Sequence, residues 1–126
     1  MKKINVLVVD DDEISLKLLE LMLKNNPLVA QIVKAKNGLE GINILERKFD
    51  TGLILLDLSM PVMNGIEFLI NLESREYLSM IPVVVISTDE TKKQEVFRLG
   101  AYDFMLKPIR QKELNMVVEN AMNILL

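Results

Sequence analysis

The 126-residue sequence predicts an α/β fold: a doubly wound (βα)5 three-layer sandwich with a central five-stranded parallel sheet between two layers of helices. Three observations carry that expectation. Apolar runs of strand length alternate with segments of helical period. Most of the runs are short and apolar nearly throughout, as strands covered on both faces are. The length suits one domain of ordinary size.

The elements follow in order. Ile4–Val9 (INVLVV) is the first strand, and the helix after it carries an apolar stripe of Ile14, Leu18, Leu19, Leu21 and Met22 that Asn25-Asn26-Pro27 stops. Ala30–Ala35 (AQIVKA) alternates more than the other runs, which suits an edge strand, and Leu39–Leu45 is the second helix. Gly52–Leu56 (GLILL) leads to a helix over Ile66–Leu72. Pro82–Ile86 (PVVVI) leads to one over Glu90–Leu99, with Gly100 placed to cap its C-terminus. Tyr102–Leu106 (YDFML) is the fifth strand and Gln111–Leu126 the last helix. No repeat, low-complexity stretch or linker divides residues 1–126, so a single domain is expected over that span. The abrupt end at Ile124-Leu125-Leu126 leaves room for the natural chain to continue.

Composition narrows the function. Net charge is −3, with lysines and arginines scattered, which gives no electrostatic reason for direct nucleic-acid binding. No run approaches the roughly 18 apolar residues of a membrane span, so no membrane partner is expected. The basic start MKK and the apolar run behind it end in three aspartates, which is wrong for a signal peptide. Cysteine is absent, so nothing argues for an oxidising compartment, and the cytoplasm is the default expectation. Histidine is absent too, which removes Ser-His catalysis and the usual zinc ligand sets.

In open parallel sheets ligands bind outside the carboxyl ends of the strands. Strand 1 is followed by Asp10-Asp11-Asp12 and strand 3 by Asp57-Leu58-Ser59-Met60-Pro61. Strand 4 is followed by Ser87-Thr88-Asp89 and strand 5 by Lys107-Pro108. Carboxylates, a hydroxyl and an ammonium therefore meet at one sheet edge. Two carboxylates about 4 Å apart repel by roughly 4 kcal/mol at an effective dielectric of 20. A hard divalent cation is the natural neutraliser, and Mg²⁺ fits best, with Mn²⁺ as an alternative, because it leaves a place for a phosphate oxygen. Lys107 can add a second positive charge to a phosphoryl group, Ser87 can donate to one of its oxygens, and an aspartate can be the nucleophile.

VLVVDDDE, LILLDLSMPVMNG, VVVIST and GAYDFMLKPI stand in that order along the chain. Together they resemble the response regulator receiver domain, the phosphoacceptor module of two-component signalling, in register over essentially the whole length. The resemblance implies a flavodoxin-like sandwich in which Asp57 accepts a phosphoryl group. Asp10 and Asp11 would hold the metal with Asp57 and the backbone carbonyl of Ser59. Ser87 and Lys107 would bind the phosphoryl group, and the ring of Phe104 would follow Ser87 inward. The Lys107–Pro108 bond is expected to be cis. Ser59, Thr88 and Asp89 occupy positions that tune the lifetime of the acyl phosphate, and Thr88 is bulkier than the small residue often found there.

The resemblance also implies a sensor histidine kinase or histidine phosphotransfer protein as donor, since the chain has no histidine of its own. A downstream effector or output domain would read helix 4, strand 5 and helix 5, a face that also offers a route to a phosphorylation-dependent dimer. The chain would then be a signalling phosphoacceptor, with at most self-phosphorylation and autodephosphorylation activity.

Each residue alone has a plainer explanation. Asp12 suits a helix N-cap, Ser87 could cap the helix after it, and Met-Pro and Asn-Gly near Asp57 are ordinary turn signals. The charged stretch Asp89–Glu95 reads as a solvated helix face. Asp10-x-Asp12 also resembles a haloacid-dehalogenase-type phosphatase, but the glycine usual after that pair is missing and a cap domain has no room. A receiver-like interaction domain that is never phosphorylated is the other rival. Flavin binding fits less well, because the first strand–helix turn is acidic.

Overall fold

The computed structural model describes residues 2–47 and 50–125, Leu125 by its backbone alone, so the expected helical residue Leu126 lies outside the described residues. Five parallel strands form one sheet in the order β2-β1-β3-β4-β5. They are β1 (Ile4–Val9), β2 (Val29–Ala35), β3 (Leu53–Asp57), β4 (Val83–Ser87) and β5 (Asp103–Leu106). The helices are α1 (Glu13–Lys24), α2 (Gly38–Glu46), α3 (Gly65–Glu73), α4 (Lys93–Arg98) and α5 (Gln111–Leu125). β2 is an edge strand, as its alternation predicts.

Side chains of period two divide the core into two layers. Ile4, Val6 and Val8 of β1 meet Leu16, Leu19 and Leu23 of α1 and Leu114, Val117 and Val118 of α5. Leu7 and Val9 point the other way, toward Ile42 and Leu45 of α2, Phe68 and Leu72 of α3 and Val96 of α4. Full burial of one such aliphatic side chain contributes about 1.5–3 kcal/mol.

Three expectations need correction. The stripe read on α1 is turned: Leu16, Leu19 and Leu23 are buried, whereas Ile14, Leu18 and Leu21 are 79%, 54% and 49% exposed. Apolar residues lie nearly all round this helix, so periodicity could not choose its inner face; packing on β1 does. The fifth strand is not covered on both faces. It sits at the sheet edge, with Asp103 and Phe104 half-buried and Leu106 exposed. The helix expected over Glu90–Leu99 is a 3₁₀ turn, Glu90–Lys92, running into the short α4. Asp89 caps that turn by accepting from the Thr91 N–H at 3.0 Å.

Helix ends match local chemistry. Asp12 caps α1 by accepting from the N–H groups of Ile14 and Ser15, and the Ser15 hydroxyl donates to it at 2.8 Å. Asn64 and Glu67 form a reciprocal capping box on α3. Gly100 (φ +100°) ends α4 in a Schellman motif: its N–H donates to Phe97 O, and the Ala101 N–H to Val96 O at 2.9 Å.

Candidate functional site

The strand order reverses between β1 and β3, and Val9 pairs with Leu56 at that switch point. The acidic residues flank it. Asp57 and Ser87, expected at the ends of their strands, are the last residues of β3 and β4, where Asp57 pairs with Ile86 and Ser87 with Leu106. Sheet hydrogen bonding therefore fixes both backbones directly.

Asp10 is 2% exposed, Asp57 half-buried and Asp11 exposed, and one carboxylate oxygen from each lies within 4.8 Å of the other two. Asp10 Oδ1 accepts from the Asp12 N–H at 2.9 Å, which fixes its orientation. Lys107 Nζ reaches Asp57 Oδ1 at 3.5 Å. Burial, and then the charge of Asp10, push the Asp57 carboxyl up to about 6 against the opposing pull of Lys107. Burial also raises Asp10, partly offset by the Asp12 N–H and by Lys107. Asp12 moves the other way, because the Ser15 hydroxyl stabilises its ionised form.

Ser87 is 7% exposed, and its Oγ accepts from the Asp89 N–H at 2.9 Å, which leaves the hydroxyl hydrogen available to donate. Lys107 N–H bonds Ser87 O at 2.9 Å, and the Lys107–Pro108 peptide is cis, as expected. Exposed Thr88 stands between two openings. A polar cleft of about 530 Å³ is lined by Ser59, Asn64, Ser87, Asp89 and Lys92 among others. A mostly apolar cavity of about 380 Å³ lies between α1 and the β5–α5 loop, lined by Leu18, Met22, Pro108 and Ile109, with Asp10 and Lys107 at its polar end. Two of the expected residues are not directed into this cluster: Phe104 packs against the core on the α2–α4 side, and the Asp89 carboxylate is engaged with Thr91.

Two glycines that position the site are legible only in the structure. Asn64-Gly65 reads as a turn, but it and Asn37-Gly38 are each an N-cap followed by the first residue of a helix. A Cβ on Gly65 would stand 2.6 Å from Leu58 Cα and 2.7 Å from Asp57 O. One on Gly38 would stand 2.8 Å from Met63 O, which accepts the Gly38 N–H at 3.0 Å. The loop after Asp57 is thus clamped by two helix starts. Between the clamps a γ-turn puts exposed Val62 at φ 68°, with the Met63 N–H on Pro61 O at 2.7 Å. A β-branched residue there costs on the order of 1–2 kcal/mol. The available signal was glycine at a first helical position, where side chains normally fit.

The model of the response regulator receiver domain family matches residues 6–119. The chain belongs to that family. Protein PilH of Pseudomonas aeruginosa is 32% identical to this receiver domain over 111 residues, 86% of the chain and 89% of PilH. A protein-glutamate methylesterase/protein-glutamine glutaminase of Clostridium acetobutylicum is 39% identical over 119 residues, 91% of the chain but 34% of that protein. The chain thus spans about a third of that relative's length. The receiver domain of a Pseudomonas aeruginosa sensor histidine kinase, with a magnesium ion coordinated in its active-site cleft, superimposes with a TM-score of 0.85. That match covers 96% of this chain and 98% of the other at 19% identity, a likeness of fold.

Receiver domains are signalling phosphoacceptors that bind a divalent metal, take phosphate from histidine kinases and pass the signal to output domains. Among the described residues no helix is long and apolar enough to cross a membrane.

Proposed function

We propose that Asp57 is the phosphoacceptor of this receiver domain and that Mg²⁺ is the ion used. The observation that carries the reading is the triad of carboxylate oxygens within 4.8 Å, with Lys107 Nζ at 3.5 Å from Asp57 Oδ1. The donor set is all oxygen, which suits a hard dication such as Mg²⁺. Asp10, Asp11, Asp57 and the Ser59 carbonyl would hold the ion. When bound it neutralises charge on the phosphoryl oxygens and on the carboxylates together.

An Asp57 carboxylate oxygen attacks phosphorus while the bond from phosphorus to the donor's histidine nitrogen breaks, its electron pair leaving with the donor. The product is an acyl phosphate. Lys107 pairs with the transferred group, Ser87 donates to one of its oxygens, and Phe104 moves with Ser87 to change the face of α4, β5 and α5. Thr88, Ser59 and Asp89 line the approach for water and set the lifetime of the product. In the metal-free domain Asp57, with its carboxyl at about 6, is mostly ionised at pH 7 and takes up a proton as pH falls below that value.

The phosphohistidine donor must meet this mouth. Leu18 lines the apolar cavity and Ile14 lies exposed one turn before it on α1, so the donor docks there. Replacing both by serine should change stability by no more than about 1 kcal/mol, because both are exposed. Phosphorylation by acetyl phosphate should persist while transfer from the donor protein slows at least about tenfold, as for loss of an apolar anchor. Equal rates from both donors would move the docking face elsewhere.

Intact-mass measurement after incubation with acetyl phosphate tests the central reading. A Mg²⁺-dependent gain of one phosphoryl group in the wild type, absent from Asp57→Asn, is expected. Retention of the adduct in that variant would place the acceptor on another residue, and no adduct together with no Mg²⁺ binding would leave a constitutive interaction domain.

A further inference from the structure

We infer that Gln111 is a positioning residue for Lys107, holding the lysine where it reaches the Asp57 carboxylate; the inference rests on the phosphoacceptor reading. Gln111 opens α5, and its Nε2 donates to the Met22 carbonyl near the end of α1 at 2.9 Å and to Asn115 Oδ1 at 2.9 Å. Asn115 Oδ1 accepts in addition from buried Asn26 Nδ2 at 3.1 Å, and Asn26 Oδ1 takes the Leu28 N–H at 2.8 Å. This network ties the end of α1, the approach to β2 and the first turns of α5 together.

Lys107 lies between two anchors. Before it, the pairing of β5 with β4 ends in its own N–H on Ser87 O. After it, Pro108, Ile109 and Arg110 lead to Gln111. Pro108, Ile109 and Met22 line the same cavity as Asp10 and Lys107, and the Gln111–Met22 bond ties α5 to that cavity's α1 wall. The ammonium sits at the end of a flexible four-carbon stem, and a small backbone shift would carry it away from Asp57. Loss of the amide should leave no buried acceptor orphaned. Met22 O keeps the Asn25 N–H at 3.2 Å and Asn115 Oδ1 keeps Asn26, so Gln111→Met is expected to fold.

The test is a double-mutant cycle on the rate of phosphorylation by acetyl phosphate in saturating Mg²⁺, using the wild type, Gln111→Met, Lys107→Ala and the double variant. Gln111→Met alone should slow the reaction about three- to tenfold. In the Lys107→Ala background it should add nothing, and calorimetric Mg²⁺ affinity should stay within about twofold. An equal slowing in both backgrounds would overturn the proposal, because the effect would then be structural. So would a wild-type rate in Gln111→Met. If the lysine variants react too slowly to time, beryllofluoride affinity replaces the rate in the same cycle. Absence of a wild-type adduct on Asp57 would instead refute the phosphoacceptor reading.

Discussion

Asp57→Asn should make the metal-free domain more stable at pH 7, by about 2 kcal/mol, while removing its phosphorylation. The carboxyl stands at about 6 in the fold against an ordinary value of 3.8. One pKa unit is about 1.36 kcal/mol, which sets an upper figure near 3 kcal/mol, reduced here because the group is only part-buried. The sign follows from proton binding. Between about pH 4 and 6 the folded state holds a proton on Asp57 that the unfolded state has released, so stability falls as pH rises through that window. Asparagine cannot ionise and escapes the fall. The advantage should therefore be full at pH 7 and gone by about pH 4.

Magnesium should reverse the ranking. Binding to the folded state alone stabilises by about 2.7 kcal/mol at a hundred times the dissociation constant. The wild type keeps three carboxylates for the ion and Asp57→Asn keeps two, so the wild type should overtake the variant as Mg²⁺ rises. Urea unfolding at pH 4 and 7, with chelator and with Mg²⁺, reads all four corners. A variant less stable than wild type at pH 7 in chelator would mean that Asp57 is not held at a cost, and the charge crowding inferred at this sheet edge would be wrong.

The charge logic was legible in the sequence because it depends only on which residues end which strands. Parallel topology brings those ends together whatever the helices do, so Asp10, Asp11, Asp57, Ser87 and Lys107 could be grouped before any coordinates. Periodicity failed where it carried no contrast. On α1, Leu16, Leu18, Leu19, Leu21 and Leu23 are chemically alike, and only docking on β1 decides that three are core and two are surface. The two openings beside Thr88, and the bond that ties Gln111 to α1, depend on distances between elements far apart in sequence. Local patterns do not encode those. Asn64-Gly65 misled for a related reason: the dipeptide signals a tight turn, but here the glycine answers to a neighbouring backbone.

Gly65→Ala tests that last point. The new Cβ would meet backbone at Leu58 Cα and Asp57 O, at 2.6 and 2.7 Å, and atoms of the main chain cannot swing aside as a side-chain end can. Overpacking of this kind costs about 1–3 kcal/mol, against roughly 1 kcal/mol returned by the better helix propensity of alanine. A net loss of up to about 2 kcal/mol is expected. The larger effect should be on chemistry, because the atoms forced to move are the carbonyl of Asp57 and the residue after it. A displacement approaching 1 Å at a reacting group costs up to about a hundredfold in rate. Gly41→Ala is the control: its Cβ would meet the Phe68 ring at 3.0 Å and a Val9 methyl at 3.2 Å, within the core and away from the Asp57 backbone. Both variants should lose stability, but only Gly65→Ala should also slow acetyl phosphate-driven phosphorylation by tenfold or more, on the order that misplacement predicts. Equal rates in the two variants would mean that the start of α3 can retreat without moving Asp57, and the clamp would then be a packing contact with no hold on the site.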